Sequence, residues 1–131
     1  MTRGRFPKKA LDAALPKAKL RGVVLLFRQE DEYAADFEIL CADRVVIVRV
    51  KRTRRLHCSV SEIEEQCTGQ ILRFRSLQAP LVLCRELWVW SVHGTFRFFR
   101  VENTCITEID QDGGQLVVAV PGLTGGCKAG S

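Results

Sequence analysis

The sequence predicts an α/β domain with a mixed β-sheet flanked by helices. Two apolar runs with strand-like alternation meet at a short turn at residues 42–43. A helical pattern over residues 59–77 then separates the second run from another apolar run over residues 81–84. A connection of that length allows the two flanking strands to pair in parallel, with a right-handed crossover. We therefore expect a helix, three strands, a helix and a further strand, in that order.

The composition fits one globular domain with a hydrophobic core. The chain has 131 residues, of which 47% are hydrophobic. No apolar run approaches the roughly 18 residues that a membrane span requires. No apolar signal-peptide segment follows the basic N-terminus. We expect a cytoplasmic protein without membrane contact, divided into a basic flexible tail (residues 1–7), one domain (residues 8–120) and a flexible Gly-rich tail (residues 121–131).

Charge is distributed unevenly along the chain, and this says more than the net charge of +5. Seven Lys or Arg residues lie within residues 1–22 and six more within residues 44–55, whereas residues 29–43 hold six acids and no cation. Clustered cations attract a phosphate backbone, because neutralised phosphates release counterions. A basic run can also be no more than a solvated loop. Nucleic-acid contacts are predicted for four of these cations, Arg44, Arg52, Arg54 and Arg55.

The two runs around residues 42–43 are predicted to form an antiparallel hairpin with charged residues at its open end. Side chains alternate between the two faces of a strand, so Asp36 and Glu38 share one face of the first strand. Arg49 and Lys51 share one face of the second strand. Pairing of the strands therefore gathers carboxylates and cations at one end of the sheet. Because buried charges are costly unless they are paired or bound to an ion, this end is the predicted site.

The hairpin resembles the PD-(D/E)xK nuclease superfamily, which has the restriction-endonuclease-like fold and includes Holliday-junction-resolving enzymes. In that pattern, an acid on one strand is followed by an apolar strand that ends in Asp or Glu, any residue, and Lys. Asp36 matches the first metal-binding acid, and residues 46–51 match the strand that carries the lysine, here Lys51. The resemblance covers about residues 8–92. It implies an α-β-β-β-α-β core, to which this chain adds a C-terminal β-hairpin, and Mg²⁺-dependent cleavage of DNA.

Arg49 occupies the position of the family's second acid, and this difference separates two hypotheses. An arginine cannot bind Mg²⁺ and would pair with Asp36 instead. In the first hypothesis the second ligand has moved, to Glu38 or to a carboxylate on the following helix. Asp36, with or without Glu38, would then hold Mg²⁺, and Lys51 would stabilise the developing charge on the phosphate. In the second, which we favour, the fold is kept and the metal site is lost. The basic residues then bind DNA or another nucleic acid without cutting it.

Residues 59–77 carry the clearest helical pattern. Capping boxes that begin at Ser59 and at Ser61 both mark its start. Apolar residues at spacings of three and four predict that one helix face lies on the sheet. Gln66 and Gln70 lie one turn apart and could face the site, and we predict that Gln70 contacts nucleic acid.

A second hairpin is predicted around a turn at residues 93–94, with two tryptophans before the turn and two phenylalanines after it. Cross-strand pairing of the rings would place them on one face of the sheet. The four rings are those of Trp88, Trp90, Phe96 and Phe98. We expect a core or a homodimer interface here. The alternatives are bases that stack on these rings, which are interleaved with Arg97 and Arg100, or a protein-interaction module that uses this hairpin.

Three further elements complete the predicted fold. A short helix over residues 8–15 is interrupted by Pro16. Residues 23–27 are a continuous apolar run, which predicts a central strand covered on both faces. Residues 106–109 and 116–120 flank a Gly-containing turn and predict the C-terminal hairpin.

The six cysteines form no CxxC motif, and their spacing matches no common zinc site. Several of them lie within strand or helix patterns, where a cysteine behaves as a small buried apolar residue. We therefore expect reduced and mostly buried thiols.

Overall fold

The computed structural model describes four segments, residues 8–27, 35–77, 83–91 and 93–114. The predicted tails and the predicted strand over residues 116–120 lie outside them. Within these segments the chain forms α1 (Lys8–Lys19), β1 (Val23–Leu26), β2 (Phe37–Leu40), β3 (Val45–Thr53), α2 (Val60–Gln66), α3 (Thr68–Arg75), β4 (Leu83–Ser91), β5 (Phe96–Val101) and β6 (Ile106–Ile109). The predicted α/β class with a mixed sheet is confirmed.

The strands form one six-stranded sheet in the order β1-β2-β3-β4-β5-β6. Neighbouring strands are antiparallel, except that β3 and β4 run parallel. The connection between β3 and β4 contains α2 and α3, because a tight turn cannot join parallel strands. Residues 42 and 43 form the predicted turn between β2 and β3, where the N–H of Cys41 donates to the carbonyl of Arg44 at 2.9 Å.

Helices cover both faces of the sheet, and each face has its own hydrophobic core. The core under α1 includes Ala10, Ala14, Ala18 and Trp88. The core under α2 and α3 includes Ile63, Ile71, Phe74 and Leu87. Strand alternation supplies both cores from the same strands, so that Val46 and Val48 lie in the first core and Ile47 lies in the second. Burial of each large apolar side chain contributes roughly 1.5–3 kcal/mol.

Helix α1 continues through Pro16 to Lys19, so the predicted interruption is wrong. Proline removes one helical hydrogen bond because it has no N–H. Pro16 itself lies on the exposed side of the helix, whereas Ala14 and Ala18 are fully buried against the sheet. Burial of the last turn therefore outweighs the lost bond.

Strand β1 is an edge strand and not the central strand predicted from its apolar run. It pairs with β2, and no other described strand lies beside it. Val23 is 62% exposed and Leu26 is 57% exposed. The prediction is wrong because an apolar run reports hydrophobicity, while the neighbours of a strand depend on the topology of the whole chain.

The helix predicted over residues 59–77 is divided at Cys67, where the backbone leaves the helical range (φ −112°, ψ 24°). The hydroxyl of Thr68 donates to the carbonyls of Glu64 and Glu65 at 3.1 and 2.9 Å, a contact that bends helices. The predicted start at Ser59 is confirmed by a complete capping box. The helical layer is therefore two short helices, α2 and α3.

The aromatic hairpin is confirmed, and its rings lie in the core under α1. Trp88 is opposite Phe98 and Trp90 is opposite Phe96 in the pairing of β4 with β5. Trp88 is fully buried and meets Phe98 edge to face, with ring centroids 4.9 Å apart. The indole ring therefore stabilises the fold and offers no surface to a ligand.

The expectation of reduced thiols is confirmed for four cysteines, Cys41, Cys58, Cys67 and Cys84, but of these only Cys67 is buried, so the expected burial is wrong for the other three. The expectation of a reduced thiol is wrong for Cys105, which is disulfide-bonded. Cys105 lies in the turn before β6, outside the strand and helix patterns on which the expectation was based. Among the free thiols, burial raises the pKa of Cys67 to about 11.

A buried ion pair joins the end of the α1 segment to the middle of the sheet. The guanidinium of Arg21 donates to both carboxylate oxygens of Glu86, at 2.8 and 2.9 Å. Their side chains are 7% and 1% exposed. The indole N–H of Trp88 donates to the same carboxylate at 2.9 Å. The carboxylate is thus fully engaged, which is the condition under which a buried charge is tolerated.

Replacing Glu86 with Gln should strongly destabilise the fold, because the Arg21 charge then stays buried without a counter-charge. Breaking one side of a buried pair costs roughly 3–5 kcal/mol. Urea unfolding followed by circular dichroism measures the change. The control is Asp12→Asn, which disrupts the exposed Lys8–Asp12 pair and should have little effect. Equal, small losses in the two variants would contradict this role for Glu86.

Candidate functional site

The predicted site lies where β2 begins and β3 approaches its carboxyl end. Asp36 directly precedes β2 and is 2% exposed. One of its carboxylate oxygens accepts the N–H of Val50 at 2.7 Å, and the other accepts the guanidinium of Arg49 at 2.9 Å. The structure therefore forms the Asp36–Arg49 ion pair on which the metal-free hypothesis depends.

Burial raises the pKa of the Asp36 carboxyl above its ordinary value. The charge of Arg49 and the hydrogen bonds from Val50 and Arg49 act in the opposite direction without outweighing the loss of water. The side chain of Arg49 is 20% exposed and so remains partly in contact with solvent. The pair is a buried acid held by a more accessible cation.

The residues around Asp36 fit a Mg²⁺ ion poorly. A cation at this carboxylate would stand beside the positive charge of Arg49. Glu38, the second predicted ligand, lies two residues further along β2 and pairs with Ile47. In the part of the chain that the structure describes, no three His, Cys, Asp or Glu side chains are grouped so as to hold a metal ion. The charge of Arg49 thus makes the surroundings of Asp36 unfavourable for a metal ion.

Lys51 shares its strand face with Arg49, roughly 7 Å further along β3. Its side chain is half-buried. The ammonium lies close enough to Cys67 for its charge to lower that thiol's pKa, against the larger opposite effect of burial. Within the described segments Lys51 has no carboxylate partner. The three side chains that define the predicted site (those of Asp36, Arg49 and Lys51) therefore stand on one face of the sheet.

A polar corner that sequence analysis did not predict closes the end of β3. The Thr53 hydroxyl donates to the Gln66 side-chain carbonyl at 2.6 Å and accepts the N–H of Arg55 at 3.1 Å. The Gln66 amide donates to the Arg55 carbonyl at 3.2 Å. Of the two glutamines that could face the site, Gln66 thus meets the strand end, whereas the nucleic-acid contact of Gln70 stays a prediction.

Three exposed cations come directly after the site in the chain. Arg52 ends the charged run on β3, and Arg54 and Arg55 lie in the segment that leads to α2; all three are exposed. Arg55 makes an ion pair of 3.7 Å with Glu62, but both side chains are largely in water, so the pair is weak. We call Arg52, Arg54 and Arg55 the basic rim.

Arg44 does not belong to the basic rim, although it was predicted to bind the same partner. It lies at the opposite end of β3 from Arg52, roughly 26 Å away along the strand. It pairs with its neighbour Asp43 at 3.4 Å, and both side chains are exposed. Proximity in the sequence is misleading here, because an extended strand separates residues that a helix would keep close.

Arg97 of β5 anchors the segment that carries the basic rim. Its guanidinium donates to the carbonyls of Leu56 and Cys58, each at 2.7 Å. It also binds both carboxylate oxygens of Glu108 on β6, at 3.0 and 2.7 Å. The same group lies over Phe99, 5.2 Å from the ring centroid. Arg97 is therefore occupied by the fold and is not available to stack on bases.

Comparison with protein-family models, with curated proteins and with solved structures finds no match for this chain. Among the helices that the structure describes, none has the length and apolar content needed to cross a membrane. We therefore infer function from the chemistry of the site itself.

The contribution of Asp36 to stability should decrease as the pH rises. Because folding raises the pKa of this carboxyl, the folded protein holds the proton more tightly than the unfolded chain. The contribution is complete below the unfolded pKa and is lost as the pH rises through the folded pKa. Urea unfolding across the acidic range, on wild type and Asp36→Asn, isolates this group. The wild-type free energy of unfolding minus that of the variant should fall with pH and then level off. A difference that grows with pH would show that Arg49 outweighs burial.

Proposed function

We propose that this protein binds nucleic acid through a PD-(D/E)xK nuclease-like fold in which an ion pair replaces the metal site. The proposal is carried by one observation, the 2.9 Å contact between Arg49 and Asp36. That contact puts a guanidinium where the resemblance to nucleases implies a second metal-binding acid. A site of this composition offers a phosphate group cationic donors in place of a metal ion.

The order of the elements supports the resemblance. Helix α1, the antiparallel strands β1 to β3, the helical connection and the parallel strand β4 follow one another as the α-β-β-β-α-β core requires. Asp36 directly before β2 and Lys51 towards the end of β3 are the residues that we match to the family's first acid and its lysine. The kinship is a proposal that rests on this order and on these residues.

The basic rim favours a phosphate backbone as the partner. Arg52 and Arg54 are exposed, and the structure records no ion pair between either of them and another described residue. Lys51 adds a further cation beside the site. Guanidinium groups bind phosphate oxygens with two parallel hydrogen bonds, and this geometry suits a regularly spaced row of phosphates.

We expect contacts with the backbone and not with stacked bases. Single-strand binding that ignores sequence uses exposed aromatic rings as stacking platforms. Trp88 is 0% and Trp90 is 8% exposed, and Phe98 lies in the same core. For the same reason, the aromatic hairpin offers little to a protein partner. Duplex or branched nucleic acid is therefore the preferred ligand class.

Removing two rim arginines should weaken binding to a short DNA duplex and reduce its dependence on salt. The slope of log affinity against log salt is negative, and each lost phosphate contact reduces its magnitude by about one. The double variant Arg52→Gln with Arg54→Gln should therefore reduce this magnitude by about two. Fluorescence anisotropy over a salt series measures both quantities. The same assay on single-stranded DNA, branched DNA and duplex RNA tests the ligand class.

Arg44→Gln is the matched control, because Arg44 is also an exposed arginine but directly precedes β3, at the far end of the strand from the basic rim. It should leave affinity and salt slope close to wild type. If Arg44→Gln reduces the affinity as much as the double rim variant does, the proposed location of the binding surface is wrong. Failure of the wild type to bind any nucleic acid at low salt would refute the proposed function.

The protein should not cut DNA in the presence of Mg²⁺ or Mn²⁺, because the guanidinium beside Asp36 repels a divalent cation. The test incubates wild type, Asp36→Ala and Lys51→Ala with duplex, single-stranded and branched DNA. We expect the same background in all three. Cutting by the wild type that disappears in both variants would instead establish a metal-dependent endonuclease, with the second ligand supplied by Glu38 or another acid.

A further inference from the structure

The chain contains two histidines, His57 and His93, and both lie at the end of the sheet that carries the basic rim. Thr53 and Ser91 end β3 and β4 and are opposite each other in the parallel pairing. The basic rim continues from the first strand, and the turn that holds His93 continues from the second. Neighbouring strands lie roughly 5 Å apart, so this turn stands beside the rim. His57 belongs to the rim's own segment, between β3 and α2.

The backbone holds both histidines in place at the surface. The carbonyls of the residues before and after His57 each accept the guanidinium of Arg97 at 2.7 Å. The N–H of His93 donates to the hydroxyl of Ser91 at 3.0 Å. Both histidines are exposed, and the structure records no hydrogen bond or ion pair between either imidazole and another described residue. Each imidazole is therefore open to a ligand that meets the rim.

Other charged or titratable groups at this end of the sheet come from five elements and from the rim segment. They are the carboxylates of Asp36, Glu62 and Glu108, the ammonium groups of Lys17 and Lys51, the Cys58 thiol and the arginines described above. Each carboxylate is paired with an arginine, at 2.9 Å for Asp36, 3.7 Å for Glu62 and 2.7 Å for Glu108. The thiol donates to the carbonyl of Arg55 at 3.3 Å. A proton on either imidazole therefore meets several cations, and the described carboxylates nearby already have partners.

We propose that His57 and His93, when protonated, add two phosphate contacts to the basic rim, so that nucleic-acid binding strengthens as the pH falls. This extension rests on the proposed function and concerns the same surface. Histidine is the side chain that ordinarily gains a positive charge between about pH 8 and about pH 5.5. Arginine and lysine ordinarily stay charged throughout that range. The two imidazoles are thus the groups through which the surface responds to pH.

A bound phosphate should in turn favour protonation of the two imidazoles. In the free protein, an imidazolium faces the positive charge of the rim, which is unfavourable. A phosphate that lies between them offsets this repulsion and accepts a charge-assisted hydrogen bond. Coupling between two binding events is reciprocal. Acidification therefore strengthens phosphate binding, and phosphate binding draws protons onto the protein.

Salt dependence at two pH values tests the proposal. Fluorescence anisotropy with a short DNA duplex gives the slope of log affinity against log salt at about pH 8 and at about pH 5.5. Each added phosphate contact increases the magnitude of this slope by about one. The wild-type magnitude should therefore be larger by about two at the lower pH. Circular dichroism at both pH values checks that the protein is folded.

The double variant His57→Gln with His93→Gln should have the same slope at both pH values. Each single variant should show a change of about one. Asp36→Asn is the control, because it removes the carboxyl at this end of the sheet whose pKa is raised by burial. It should keep a change of about two, since the proposed contacts come from the imidazoles.

A wild type whose slope is the same at both pH values would overturn the proposal and leave the proposed function standing. A change of slope that persists in the double variant, or that disappears in Asp36→Asn, would overturn it as well. A single variant that keeps the full wild-type change would show that its histidine makes no contact. Failure of the wild type to bind at either pH would refute the proposed function and this extension with it.

Isothermal titration calorimetry provides a second test at about pH 6.5. Binding of the duplex should take up protons, so the measured enthalpy should depend on the ionisation enthalpy of the buffer. The double variant should lose this dependence. A wild-type enthalpy that is equal in all buffers would overturn the proposal, as would an equal proton uptake by the double variant.

Discussion

A buried carboxylate needs donors, and Asp36 takes both of its donors from consecutive residues of β3. Its side chain accepts the N–H of Val50 and the guanidinium of Arg49, while its own N–H donates to the carbonyl of Val48 at 2.7 Å. The start of β2 is therefore fixed to β3 by main-chain and side-chain bonds together. A charge that must stay paired for the fold to close is not free to hold a metal ion. This constraint directs the proposed function towards binding by charge.

The fold also uses several of its arginines, so the net charge of +5 is a poor guide to binding. Arg21 is paired with Glu86. Arg97 is paired with Glu108 and also donates to two backbone carbonyls. Arg85 is buried and has no carboxylate partner among the described residues. It donates to the carbonyls of Phe74 on α3 and Val101 at the end of β5, and so ties the helix to the sheet. Burial lowers the pKa of Arg85 from its ordinary value, and Arg75 adds to that effect. Among the described arginines that are exposed, Arg52, Arg54 and Arg55 lie together where β3 ends.

Local chemistry made part of this structure predictable. The hairpin around residues 42–43, the capping box at Ser59 and the cross-strand aromatic pairs each depend on residues close in sequence or in strict alternation. Long-range packing decided the rest. Burial of Ala18 carries α1 past Pro16, and the strand order leaves β1 at an edge.

The same division holds for the site. Alternation predicted that Asp36, Arg49 and Lys51 share a face, because it involves two adjacent strands. It could not predict that Arg44 lies far from the basic rim, since the length of β3 had to be known first. Nor could it find the contact between Thr53 and Gln66, which requires the position of α2 above the strand end.

The anchor made by Arg97 has a consequence for the cost of recognition. The segment after β3 is tied to β5 and β6 through the carbonyls of Leu56 and Cys58 and the carboxylate of Glu108. A ligand that meets Arg54 and Arg55 encounters a backbone that is already ordered, so less conformational entropy is lost on association. Glu108 of β6 thereby helps to preorganise the basic rim, because it holds Arg97 against the carbonyls of Leu56 and Cys58.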